Sequence, residues 1–281
     1  MNTKFSDRMG ITKPRDAIQI ESMDDALRNG LWNMLCKYYF VPGEVYGGIV
    51  SLTHPKNINL LNLSTRIIAG YFKEREDMMD INFVNVKKVF SERFYVFRWF
   101  EVYNFIEFVG NNGWPDDKNI QFQKACNDVM EKEMSGYRFI SGLITPISDT
   151  QEIESIDEAI SNSSDPVREH LTTALSLLSD RQDPDYRSSI HESISAVEGM
   201  SAEIVGAKPQ LSKLLERLDK IMPLHPALKN AFESLYGYTS DNGIRHAETK
   251  DSLPVDFHDA KFMLVACSTF INYVNGKLEQ Q

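Results

Sequence analysis

The sequence predicts an all-α protein of two helical domains, and three observations carry that expectation. Apolar residues recur at three- and four-residue spacing along most of the chain, the period of helices with one buried face. A length of 281 residues favours two domains over one. The charge is also divided. Residues 1–148 carry 18 basic and 18 acidic side chains, whereas residues 149–281 carry 12 and 22, so the whole net charge of −10 sits in the second half. The expected domains are therefore 1–148 and 149–281.

In the first half, Asp24 is the expected N-cap of a helix over 24–40, with Leu27, Leu31, Met34, Leu35 and Tyr38 on one face. "VPGEVYGG" ends it, and a second helix is expected from 58 to 73. Residues 83–110 read as one long helix, apolar nearly all round from Phe94 onward and hence central. Base-stacking platforms are exposed and interleaved with positive charge, whereas these aromatic residues sit at packing spacing, so they read as core. "NNGWPDD" is a loop before a helix over 116–135. Residues 137–148, "YRFISGLITPIS", are β-branched and aromatic around Ser141-Gly142, which predicts a small hairpin or two short strands.

Beyond residue 149 every segment reads as helix: 150–162, 166–179, 184–206, 210–222, 224–238 and 257–278. Asp165-Pro166 and Asp183-Pro184 mark two starts as cap followed by first-turn proline. "GYTSDNG" reads as a turn. The last helix has Asp256 as N-cap and an apolar seam through Phe257, Ala260, Leu264, Cys267, Ile271, Val274 and Leu278, as in a helix bundle.

Several function classes lack support. There is no apolar run of the roughly 18 residues needed to span a bilayer, so no membrane contact is expected. Cys36, Cys126 and Cys267 are dispersed and odd in number, which suits reduced thiols in a cytoplasmic protein. No Cys-x-x-Cys or comparable histidine spacing occurs, and no phosphate-cradling glycine loop or nucleophile elbow, so neither metal nor cofactor is expected. The acidic second half has no broad positive surface for nucleic acid, so RNA would need a local basic pocket.

Two polar clusters carry candidate chemistry. "GIRHAETKD", residues 243–251, sets Arg245 beside His246 after the turn. A guanidinium can stabilise charge on a phosphorane, and an imidazole can move protons near neutral pH. Neighbours on a regular helix point about 100° apart, so a turn or a two-fold dimer is needed to aim both at one phosphate. Arg245 has a structural reading too, as a clamp on helix C-terminal carbonyls. On the helix 184–206, Arg187, His191, Ser195 and Glu198 fall within about 80° of arc. They lie beside the apolar Ile190, Ile194, Val197 and Ile204, at the border of a bundle interior or on a solvated face.

"FSDRMGITKPRDAIQIESMDDALRNGLWNML" resembles the start of an N-terminal domain of bacterial AbiJ-type abortive-infection proteins. "DYRSSIHESISAVEGM", "LYGYTSDNGIRHA" and "VDFHDAKFMLVACSTFINYV", in that order, resemble the helices of a HEPN domain. The resemblance implies phage defence, with a first half that senses a phage-derived or protein trigger or regulates the second, and a second half that is a HEPN-like bundle. Many HEPN domains are metal-independent ribonucleases that act as homodimers, with Arg, four to six residues, then His. Arg245 has the position of that arginine. No Arg and His in this chain have that spacing, and His258 is the next histidine after His246. The resemblance thus leaves two expectations. One is a latent endoribonuclease with Arg245 on phosphate, His246 as acid and base, and Glu198 in support. The other is a HEPN-fold binding module without chemistry.

Overall fold

Asp24 opens the first helix, α1 (Asp25–Tyr38), by accepting the Leu27 N–H on its side chain at 2.9 Å. Leu27, Leu31 and Leu35 of α1 are fully buried. The computed structural model describes residues 9, 18–43, 45, 47–113, 116–180, 183–206, 211–241 and 254–279. The chain divides into two compact units, Met1–Ser148 and Asp149–Gln281. The fold is all-α apart from one two-stranded hairpin, with eleven α-helices among the described residues.

The first unit contains α1, α2 (Ile58–Thr65) continued by a π-helical segment (Arg66–Tyr71), α3 (Phe83–Val96), α4 (Trp99–Asn112) and α5 (Asp116–Lys132). The long helix expected over 83–110 is two helices. Phe97 and Arg98 take extended backbone conformations between them, and the Glu101 carboxylate accepts the Arg98 N–H at 2.7 Å. That is half of a capping box, and an arginine in the cap position hides it from the sequence pattern. The break has a packing reason. It brings Phe94 of α3, Phe97 of the link and Phe105 of α4 into one cluster, with ring centroids 5.9–6.4 Å apart. Tyr95 departs from the core reading: it is exposed, and its hydroxyl bonds to Asn29.

The hairpin is present as β1 (Arg138–Ile140) and β2 (Leu143–Thr145), with Ile140 opposite Leu143. Ser141 and Gly142 turn the chain at φ +46° and +87°, the left-handed pair that matches strand twist. A lone hairpin is marginal in water, and α4 holds this one. Glu107 Oε2 accepts the Ile144 N–H at 2.6 Å, and Asn111 Nδ2 donates to the Gly142 carbonyl at 2.7 Å. A Cβ on Gly142 would sit 2.5 Å from Asn111 Oδ1. Gly142→Ala is therefore expected to destabilise the protein by about 1–3 kcal/mol. A urea titration showing no loss would contradict this account of the turn.

In the second unit, α6 (Thr150–Ser161), α7 (Asp165–Ser179), α8 (Tyr186–Val205) and α11 (Phe257–Leu278) pack together, and α9 (Leu211–Ile221) and α10 (Pro226–Asp241) lie between α8 and α11 in sequence. α7 and α8 are antiparallel: Ser164 bonds to Glu203, His170 to Glu192 and Ser189 to the Ala174 carbonyl. α6 and α11 are parallel: Lys261 pairs with Glu152, and Asn272 donates to the Ser155 carbonyl. The expected seam of α11 is buried at Ala260, Leu264, Cys267, Ile271 and Val274.

Three boundaries differ from the sequence reading. Ser164 rather than Asp165 is the cap of α7. Asp185 rather than Asp183 caps α8, accepting the Ser188 N–H at 2.9 Å and the Ser188 hydroxyl at 2.6 Å. Most of "GYTSDNG" is helical, because α10 runs on to Asp241. Thr239 is fully buried there, and its hydroxyl bonds to the Tyr236 carbonyl. Burial of Thr239 in the packed helix outweighs the turn tendency of its neighbours.

Cys126 and Cys267 are buried, whereas Cys36 is half-buried. Burial pushes both buried thiols up, that of Cys267 to about 12. In the folded protein at mildly alkaline pH, a disulfide reagent is expected to modify one thiol of the three and reach the other two on unfolding. Rapid reaction of all three without denaturant would overturn the buried placement.

Candidate functional site

α8 supplies the described part of the candidate site. Its inner side is Ser189, Ile190, Ser193, Ile194, Ala196, Val197, Met200 and Ser201, all buried. Arg187, His191, Ser195 and Glu198 are all half-buried on one side of the same helix. The stripe therefore borders the interior. At 1.5 Å per residue, Arg187 and Glu198 lie roughly 16 Å apart along the axis. That is too far for both to touch one phosphate. Arg187 and His191, one turn apart, can share a ligand.

The Tyr186 ring lies 6.3 Å from that of Phe257, so α8 and α11 start at the same end of the bundle. Arg187 sits at that end and Glu198 about three turns along α8. At the start of α11, the Asp256 carboxylate accepts the His258 and Asp259 N–H groups at 2.7 and 3.1 Å, and Asp259 accepts the Asp256 N–H at 3.0 Å. These bonds hold the Asp256 carboxyl below the ordinary aspartate range. They confirm the expected cap and occupy Asp256 in structure. Arg245 and His246 lie outside the described residues.

The structure adds a group that sequence reasoning passed over. His170 of α7, read as a surface histidine, places Nδ1 2.6 Å from Glu192 Oε2 on α8. The other Glu192 oxygen lies 3.8 Å from His191 Nδ1. One carboxylate thus sits between two imidazoles from adjacent helices. Twenty-two residues separate His170 and Glu192 in sequence, and no local spacing signals the pair. Among the described residues, no group of three His, Cys, Asp or Glu side chains is arranged to hold a metal ion. No helix among them is long and apolar enough to cross a membrane.

The two units define a class: an α-helical protein with an aromatic-cored first unit and a second unit built as a helix bundle. The chain belongs to the family described as AbiJ N-terminal domain 4, whose model matches residues 3–162. It is accordingly an AbiJ-type abortive-infection protein, a kind that serves phage defence. The match continues past Ser148 through α6, the first helix of the bundle. No curated protein and no solved structure matches the chain.

Proposed function

We propose that this abortive-infection protein is a latent, metal-independent endoribonuclease of the HEPN kind, held in check by its first unit until a phage-derived or protein trigger arrives. Arg245 stabilises charge on the scissile phosphate, and His246 takes the 2′-hydroxyl proton and returns one to the leaving 5′-oxygen. Glu198 supports them from α8, and Arg187, His191 and Ser195 extend the polar surface along RNA. Two copies related by a two-fold axis supply two such pairs to one site. The observation that carries the reading is the bundle of the second unit. Its α8 and α11 start side by side, with a half-buried polar stripe on α8.

A second reading is favoured by charge and spacing: the same bundle is a binding module without chemistry. The second half carries the full −10, and no histidine follows Arg245 at the HEPN interval. The deciding experiment incubates single-stranded RNA with the purified full chain in the presence of EDTA. Cleavage by the wild type, reduced about 10²–10³-fold in Arg245→Ala and in His246→Ala, is the expected result. Equal cleavage by all three proteins refutes the mechanism. Protection from phage that survives both substitutions favours the binding module.

A further inference from the structure

The first unit contains a pocket of about 230 Å³ between the end of the π-helical segment and α3. Local sequence builds its rim. The Phe72 N–H reaches back to the Ile67 carbonyl at 2.9 Å, and Lys73 turns left-handed at φ +58°. The Glu74 N–H then bonds to the Ile68 carbonyl at 3.0 Å. This is a C-terminal hook made with lysine where glycine is usual. It carries Phe72 and Glu74 to α3, where the Arg93 guanidinium lies 4.3 Å from the Phe72 ring centroid and pairs with Glu74 at 2.9 Å. Phe90 and Val86 form the buried floor, and Met78, Met79 and Val89 the outer walls.

Three features say what would enter. Met78 and Val89, which line the pocket, are 75% and 43% exposed. Exposed apolar walls of that kind suit an interaction surface, and methionine walls adapt to varied side chains. A volume of about 230 Å³ is below the roughly 300–1,000 Å³ of small-molecule sites, so it suits one side chain better than a whole nucleotide. The charged lining residues Glu74, Arg75, Asp80 and Arg93 sum to zero, but both arginines are already ion-paired. Arg93 and Arg75 are paired with Glu74 and Asp77. Asp80 accepts the Asn82 N–H and Asn85 Nδ2 at 2.7 Å each. No cation among the described residues pairs with Asp80.

We infer that this pocket docks a segment of a partner protein that inserts one large apolar side chain, Leu, Met or Phe, with a Lys or Arg beside it for Asp80. The inference gives the sensing role proposed for the first unit a location, and its test is independent of RNA cleavage. The full chain, labelled with ¹³C at its methionine methyls, is titrated with the blocked pentapeptides Gly-Lys-Leu-Lys-Gly and Gly-Lys-Phe-Lys-Gly. Signals of Met78 and Met79, assigned through Met78→Leu and Met79→Leu, are expected to shift, while that of the buried Met130 stays in place as a marker of intact fold. Replacing the central residue by Gly should weaken binding more than about ten-fold. Replacing the lysines by glutamate, or Asp80 by Asn in the protein, should weaken it roughly two- to five-fold. No shift with the Leu and Phe peptides at millimolar concentration overturns the inference. So does an equal response to the Gly peptide, or a shift of the same two methyls by single-stranded RNA.

Discussion

Phe105→Ala is expected to destabilise the first unit by about 3–5 kcal/mol, one of the largest losses available to a single substitution in this protein. Phe105 is fully buried on α4. Its ring lies 5.2 Å from Tyr71, 5.9 Å from both Phe94 and Phe97, and 6.1 Å from Phe72, where the planes are stacked at 17°. Alanine would lose the transfer free energy of the ring and its aromatic contacts, and would leave a cavity that four large neighbours cannot all close. For a unit of this size the unfolding midpoint should fall by roughly 10 °C. Phe105→Leu keeps much of the volume and should lose less. Circular dichroism on both variants checks this, and a shift of only a degree or two in Phe105→Ala would show the cluster to be slack. Phe72 also walls the docking pocket, so Phe105→Ala should weaken peptide binding at a distance, through packing alone.

Ile194→Asp is expected to unfold the bundle at neutral pH. Ile194 is 1% exposed near the middle of α8, and an uncompensated carboxylate there costs several kcal/mol. The pH dependence has a definite sign. Burial raises the folded-state pKa of the new carboxyl above its unfolded value of about 3.9. The neutral acid is present below the unfolded value, so the charge penalty is absent there. It grows as pH rises through the folded value. Hydrogen exchange at pH 7 should therefore accelerate in α8 and α11, and acidification toward pH 4 should recover part of the protection. The buried core cluster of the first unit consists of its own residues, so α3 and α4 should keep their protection. Uniform acceleration across both units would refute that separation.

Local rules made much of the fold legible. The aspartate caps at 24 and 256, the seam of α11 and the hairpin at Ser141-Gly142 each rest on contacts within a few residues or on simple periodicity. The errors have an equally specific origin. The break at Phe97–Arg98 depends on aromatic rings from three segments meeting in one cluster, and the extra turn of α10 depends on a buried Thr239. Neither cause can be seen from one helix alone. The same division runs through the sites. Helical arc predicts that Arg187, His191, Ser195 and Glu198 share a face, whereas the His170–Glu192 pair joins residues 22 positions apart.

By itself the sequence determined the all-α class, the segment order and the concentration of negative charge in the second half. It also marked the positions of Arg245 and His246. These follow from composition and from periods of three and four residues, which a chain carries whether folded or not. Only the tertiary structure decided which half-polar faces turn inward, where Glu192 finds its imidazoles, and that Phe72, Met79 and Phe90 enclose a pocket. Those depend on the packing of side chains from separate helices, where burial and distance set the energy and sequence neighbours do not.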